Sequence, residues 1–406
     1  MRSLHAFRNT LLILLFWALL SPAARLESRE TLRTVKLADD VEYRKYLVDT
    51  SGGTAAVHIV LIRLDAIREG RLSVDAALGG DLMGRTGSVE SIARREGAIA
   101  SINGPYFGGS GGRTYPLGFT ALHGRIAQLG NIRRPLVGID ADGEFSVEVA
   151  HPTAFVTSEA YFEPLWLWGV NTNAGANGVT IYDRGWGESV DCQGGIAVAV
   201  KPLQSDDEPA VISVGPSGGT DQDWDGEVVD VAGSGSIDIL QDGYVLVFRG
   251  RRSADAERYR PGVGVAVYAY ELPDGWESMR WITTLGPWFV SDGHLRDFSD
   301  ETDYSSGVLG RSARSVIGVT WNDEIFFAVT TGAALNVGEA ADVMIECNAR
   351  EAVMCDSGSS SGMWAKGVGA VGTSRAIPLA FIVREVTNEP EAVPQLRVWK
   401  ERLIRR

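Results

Sequence analysis

The chain predicts an α+β architecture, with a β-rich mixed sheet core and a few packed helices. Three observations carry that expectation. Short runs of β-branched and aromatic residues recur between Gly and Asp turns, and the 48 glycines supply those turns. Only two segments combine helical periodicity with end signals. The regular strand-helix alternation of a doubly wound nucleotide fold is missing, and no glycine fingerprint follows the early strands.

Taken in order, residues 57–62 form the first clear strand. The first helix has Ser88 as N-cap, Val89, Ile92 and Ala93 on one face, Arg94 and Arg95 in its last turn, and Gly97 as its stop. Strands follow at 262–270, 315–320 and 325–330. A second helix starts near Asn336, with Glu339 three residues on, and buries Ala340, Ala341, Met344 and Ile345.

Residues 1–24 read as an export signal: Arg2 and Arg8, an apolar stretch over 11–20, then Ser21-Pro22-Ala23-Ala24, with the mature chain from Arg25. The rival reading is an uncleaved anchor, although the apolar stretch is short for a bilayer. No later segment is long and apolar enough to span, so the mature chain is expected without a membrane span. Its expected location is secreted, periplasmic or elsewhere in the cell envelope. Residues 25–390 read as one domain, interrupted by an acidic surface excursion over 203–236. Residues 391–406 form a basic tail, either solvated or touching an envelope surface.

A net charge of −14 over 406 residues argues against nucleic acid as a partner, since such proteins gather Lys and Arg to displace counterions. Small anionic ligands remain open, because one local Arg outweighs a distant acidic surface through screening solvent. Cys192, Cys347 and Cys355 make no disulfide framework. Cys347 and Cys355 pair in an oxidising compartment, or all three are buried thiols. No zinc spacing and no His-Glu-x-x-His run occurs, so metal hydrolysis has no motif. Asp221, Asp223, Asp225 and Gly226 open a calcium loop, but position twelve is Ala232. A solvated acidic turn is the preferred reading there.

The most informative stretch is Val353-Met354-Cys355-Asp356-Ser357-Gly358-Ser359-Ser360-Ser361-Gly362, where an apolar run delivers one carboxylate into a loop of Gly and Ser. Small residues let backbone N–H groups and hydroxyls converge on one anion. A flexible linker is the alternative, yet apolar order resumes at Met363-Trp364-Ala365. Gly358, Ser360 and Gly362 also fit a nucleophile elbow, but that motif needs a later His, and the last one here is His294. Asn103 offers a donor and an acceptor suited to a sugar hydroxyl, with Gly104 turning the chain beside it; an Asx-type turn into Pro105 is the competing reading. Asn171 is a weaker candidate of the same kind. Arg113 sits by the Gly-rich 108–112 loop, which could close over a ligand. Asp242 and Gly243 read as a β-turn. Tyr106, Trp166, Trp168 and Trp364 either stack on a sugar or belong to the core.

Several segments together resemble a known family. Asn103-Gly104-Pro105-Tyr106-Phe107, then Pro116-Leu117-Gly118-Phe119 and Gly124-Arg125-Ile126, resemble the Asn-Gly-Gly-Phe-Phe region of phosphodiester glycosidases, relatives of the lysosomal enzyme that uncovers mannose 6-phosphate by removing an N-acetylglucosamine cap. Val170-Asn171 to Ile181-Tyr182 is similar to the family's central Asn-containing loop and strand. Gln241 to Leu246 resembles its Asp-Gly-Tyr-x-Leu step, and Arg314 to Val319 its Arg-Thr-Ala-Ile-Gly strand. Asp356 to Ser361 stands where members carry Asp-Gly-Gly-Gly-Ser-Ser/Thr. The order holds from about residue 40 to 388. Departures occur at Pro105 and Ser357, which replace glycines, at Ala333, where many members carry Arg, and in the central loop, which also lacks an Arg.

The resemblance implies hydrolysis of a sugar-1-phosphodiester or related envelope glycan linkage without an organic cofactor. Phosphate is a good leaving group, so strong general-acid help is less necessary than in ordinary glycoside hydrolysis. Asp356 is then the carboxylate that attacks or activates water, and Arg314 the phosphate donor, unless it pairs with a surface acid. Asn103 places the sugar, while Ser360, Ser361 and Gly358 complete an anion pocket. Gly104, Asn171 and Arg113 complete the expected binding set. Two missing cations imply a less charged substrate or a retained fold without the reaction. The opposing class is a non-catalytic glycan-binding or exopolysaccharide-assembly protein.

Overall fold

The computed structural model describes residues 31–110, 112–203, 224, 226–302 and 304–386. The expected signal segment, the basic tail and Asp221, Asp223 and Asp225 lie outside the described residues.

Two antiparallel sheets stack face to face. The larger runs, in spatial order, Thr31–Ala38, Val41–Thr50, Gly53–Arg63, Glu324–Gly332, Ser315–Thr320, Ala349–Met354, Trp288–Ser291 and His294–Leu295. The smaller runs Gly369–Gly372, Gly362–Ala365, Ala100–Asn103, Leu379–Glu385 and Leu72–Leu78. Val60, Ile62, Ile317, Phe327 and Val353 of the first meet Ile102, Met363, Phe381 and Val383 of the second in one core. The period-two alternation of strands puts their neighbours on the far faces: Ile59, Phe326, Ala328 and Met354 turn outward. There the Val337–Glu346 helix covers them with Ala340, Ala341 and Met344. On the other side the Val89–Arg95 helix lays Val89, Ile92 and Ala93 on Ala380 and Ile382. The result is a helix-sheet-sheet-helix sandwich. Truncating a fully buried ring such as Phe327 or Phe381 to Ala should cost about 3–5 kcal/mol.

A second pair of sheets adjoins it. A five-stranded sheet of Phe145–Ala150, Arg134–Ile139, Trp281–Thr284, Thr120–Leu122 and Arg125–Gln128 packs against an eight-stranded one that includes Ile196–Pro202, Tyr244–Phe248 and Val179–Asp183. The Arg134–Ile139 strand serves both cores, with Val137 and Ile139 in the first and Leu136 in the second.

The β-rich class and the named strands are as expected. Both helix starts are also in place. Ser88 accepts from the Ser91 N–H at 3.1 Å, and Gly97 has φ 63°. Asn336 and Glu339 form a reciprocal capping box. Ile345 is only partly buried. All three cysteines are free. Cys355 faces the inner core and Cys347 packs on the outer one, so the sheet separates them and the Cys347–Cys355 bond does not form. Within the expected 203–236 excursion, Gly226–Ala232 is a strand paired with Ile196–Pro202, so the excursion is narrower than its composition suggests. Among the described residues, no helix is long and apolar enough to cross a membrane.

Candidate functional site

The Ala349–Met354 strand lies in one sheet of the sandwich and Gly362–Ala365 in the other, so residues 355–361 carry the chain across the seam. Both sides hold this loop. Cys355 and Gly358 donate their N–H groups to the Ser315 and Ala313 carbonyls, each at 2.8 Å, while the Asp356 N–H reaches the Gly104 carbonyl at 3.0 Å. Asn103 is fully buried and acts as a brace. Its Nδ2 donates to the Asp356 carbonyl at 2.6 Å, and its Oδ1 accepts the Gly362 N–H at 3.0 Å. Gly104 is required beside it, because an added Cβ would stand 2.8 Å from the Leu379 carbonyl oxygen. Gly358 takes φ 70°, a left-handed turn that favours glycine.

The Asp356 side chain is half-buried at the end of this scaffold. Burial raises its proton affinity, opposed by a hydrogen bond from Ser360, the charge of Arg375, the Ser357 N–H and the charge of Arg134. Arg375 Nη1 donates to Ser359 and Ser360 Oγ, both at 2.9 Å, and its guanidinium lies 4.7 Å from the centre of the Phe107 ring. Carboxylate, serine hydroxyl and guanidinium therefore form one connected group. Ser361 is spoken for, since its hydroxyl donates to the Ala313 carbonyl at 3.1 Å.

Behind Asp356 the polar network continues inward. The Tyr106 hydroxyl is buried without a hydrogen-bond partner among the described residues; burial and the Asp356 charge raise its pKa. Arg134 sits 5.0 Å from the Tyr106 ring centre and 4.4 Å from that of Tyr304. Tyr304 donates to Glu301, which also accepts from Arg296 Nη1 at 2.8 Å and the Trp288 N–H at 3.2 Å. Burial pushes the Glu301 carboxyl up to about 7.

The expected site residues separate on this geometry. Asp356, Asn103, Gly104, Gly358, Ser360 and Ser361 come together, but Asn103 holds backbone, and both its polar atoms are occupied. Arg314 departs from its expected role as phosphate donor. It is fully buried and donates to the carbonyls of Leu335 (2.9 Å), Val308 (2.8 Å) and Gly310, so neither a phosphate nor a surface acid takes its charge. Asn171 is fixed in the second pair of sheets by Asp183 Oδ1 at 2.8 Å and the Ala127 carbonyl at 3.0 Å. Arg113 is not on a closing loop. It starts the second strand of the Phe107–Ser110/Arg113–Pro116 hairpin and donates to the Trp186 carbonyl. Of the aromatics, Trp364 is core, Trp166 packs edge-on against Phe155 and Tyr270, and Trp168 stands against Gly175; only Tyr106 adjoins Asp356.

Sequence reasoning missed Arg375, Arg134, Tyr304 and Glu301. Arg134 opens a strand and Glu301 sits in an acidic stretch, neither of which is a specific signal, and nothing local marks Arg375. A cavity of about 320 Å³ opens elsewhere, lined by Asp75, Asp81, Arg95, His123 and Arg384 among others. Its buried acid, Asp75, is already engaged by Arg280 at 3.4 Å and Arg384 at 3.1 Å.

A half-buried carboxylate flanked by a serine and a guanidinium, at the seam of a β-sandwich, is an arrangement chemically able to exchange a proton and to hold an oxyanion at its guanidinium. A phosphodiester glycosidase family model matches residues 219–388, a span that takes in Asp356, Ser360 and Arg375. That match covers under half of the chain, and over it the chain is similar to phosphodiester glycosidases, a family whose chemistry is that of carbohydrates. Among solved structures, a hypothetical protein from Synechocystis overlays with TM-score 0.70 at 20% identity, over 86% of this chain and 63% of that one. This chain thus spans less than two thirds of that protein's length. A Burkholderia pseudomallei protein provisionally named as exported overlays with TM-score 0.63 at 19% identity, over 82% of this chain and 75% of that one. At these identities the likeness is one of fold. The catalytic domain of zebrafish N-acetylglucosamine-1-phosphodiester alpha-N-acetylglucosaminidase, auto-inhibited by its pro-peptide, gives TM-score 0.44 at 12% identity over 88% of each chain, too loose an overlay to carry residue correspondence. No curated protein matches the chain.

Proposed function

We propose that the protein is an exported hydrolase that cleaves a sugar-1-phosphodiester or a related envelope glycan linkage. The observation that carries this reading is the Asp356 carboxylate, half-buried and joined to Ser360 and Arg375 on a loop braced from both sheets. Burial that raises the proton affinity of a carboxylate suits it to take a proton from water. Water adds to the anomeric carbon, its proton passes to Asp356, and the C–O bond to phosphate breaks with the electron pair leaving on the phosphomonoester. Arg375 and Ser360 are placed to receive that negative charge. Export is supported by the leader-like residues 1–24 and by the provisional naming of the Burkholderia protein.

A second reading, a glycan-binding or exopolysaccharide-assembly protein without turnover, draws on one observation: the donors of Arg314 and Asn103 are consumed by backbone and by Met354 Sδ, so Asp356 lacks the phosphate donor and the sugar-placing amide expected beside it. Release of product from a chromogenic sugar-phosphodiester by the wild type, lost in Asp356→Asn, supports hydrolysis. Glycan binding by both proteins with product from neither selects the second reading.

A further inference from the structure

We infer that Arg85 and Arg113 form a second anion-binding site, which takes a phosphate or carboxylate group carried by the substrate at a distance from the bond cleaved. Assignment of that anion to the substrate rests on the hydrolase reading above; the anion site itself does not.

The two arginines are brought together by backbone. The Thr114 N–H donates to the Gly84 carbonyl at 3.1 Å, and a Cβ on Gly84 would stand 3.1 Å from Arg113 Cβ, so residue 85 is adjacent to the Arg113 strand. Arg113 is held in place, with its guanidinium 4.2 Å from the centre of the Trp186 ring and Nη1 donating to the Trp186 carbonyl. Gly187, at φ 153°, leaves open the space beside Nη2, where a Cβ would come to 3.2 Å. Neither guanidinium has a carboxylate at salt-bridge distance among the described residues. Burial and the neighbouring Arg85 charge hold Arg113 below the ordinary arginine range. On a chain of net charge −14, two arginines on adjoining segments and within electrostatic reach of each other, with no acid at salt-bridge distance among the described residues, are short of a counterion, and the Arg113 fork suits an oxyanion.

The hairpin links this pair to the Asp356 loop. Phe107, under Arg375, pairs with Pro116, and Ser110 pairs with Arg113 at the other end. Three strand residues span about 10 Å, so the second anion lies roughly that far from the first. The substrate class this selects is a glycan bearing a second phosphate or carboxylate beyond the scissile phosphodiester.

Isothermal titration of the full chain with inorganic phosphate tests the site. Arg85→Gln should weaken phosphate binding at least five-fold, and Arg113→Lys, which keeps the charge but loses the fork, should weaken it less while melting near wild type. Phosphate binding unchanged in both Arg85→Gln and Arg85→Gln/Arg113→Gln overturns the site, as does a loss confined to Arg375→Gln. For the substrate assignment, Arg85→Gln should raise KM for a doubly anionic substrate at least five-fold relative to a singly anionic one. Weakened phosphate with an unchanged KM ratio overturns that assignment in favour of a free anion. If the wild type turns over neither substrate, the hydrolase reading and the substrate assignment fall together, and the phosphate titration still decides the site.

Discussion

Two buried asparagines brace two aspartates in this molecule, and the aspartates end in different states. In the second pair of sheets, Asn171 donates to Asp183 Oδ1 at 2.8 Å, the Gly185 N–H reaches the same oxygen at 2.8 Å, and Arg125 approaches Oδ2 at 3.4 Å. That carboxylate is 4% exposed, and protein donors serve both its oxygens. At the sandwich seam, Asn103 instead holds the backbone of Asp356 and leaves the side chain half-buried beside one serine and one exposed guanidinium. A brace on a carboxylate consumes it, whereas a brace on the carbonyl behind it presents it. On the proposed reading, that difference is why Asp356 rather than Asp183 would serve as the reactive acid.

The largest expected effect tests that contrast directly. Asp356→Asn should lower turnover of a sugar-phosphodiester by about 10²-fold or more, within the range of lost acid-base catalysis, while the melting temperature holds or rises. Asp183→Asn should do the opposite, leaving turnover near wild type and costing about 1–3 kcal/mol, because its amide presents a donor to donors. Urea unfolding and initial rates on the two variants decide the matter. Equal rate losses erase the distinction.

Asn103→Ala comes next. It strands the Asp356 carbonyl and the Gly362 N–H at a buried seam, and at about 1–3 kcal/mol for each unsatisfied group the loss should be ~2–6 kcal/mol. Since the loop then loses its side-chain tie to the second sheet and keeps only backbone bonds such as Asp356 N–H to the Gly104 carbonyl, kcat should fall more than KM rises. A variant of wild-type stability would show that the loop is held by its remaining backbone bonds alone.

How much of this was legible in the chain follows the range of each interaction. Helix caps at Ser88 and Asn336 are local, so three or four residues declare them. Asp356 was legible because strand, carboxylate and tiny residues are contiguous. The role of Arg314 was not. An Arg ahead of a strand reads alike whether it meets ligand, acid or carbonyl, and its fate is set by Val308, Gly310 and Leu335, which the fold closes around it. Arg375 reaches Ser360 only because the Gly362–Ala365 and Gly369–Gly372 strands pair into a hairpin. Arg134, Tyr304 and Glu301 meet across more than a hundred residues of chain, a juxtaposition no local pattern encodes.

Glu301 extends the comparison to a third buried acid, and here the expected effect is smallest. Its carboxyl is surrounded by Tyr304, Arg296, the Trp288 N–H and Asp300, yet burial outweighs the favourable partners and raises it from the ordinary 4.5 to about 7. The folded state therefore holds this proton more tightly than the unfolded chain does. The resulting stability is complete below about pH 4.5 and is lost as pH rises through about 7. Glu301→Gln cannot ionise, so the wild type should lose melting temperature relative to the variant by a few degrees between pH 5 and 8, with the gap constant above that window. Melting curves of both proteins across this range provide the check. Parallel pH profiles would mean that Arg296 and Tyr304 hold the anion as well as water does, and that Glu301, like Asp183, is a consumed acid.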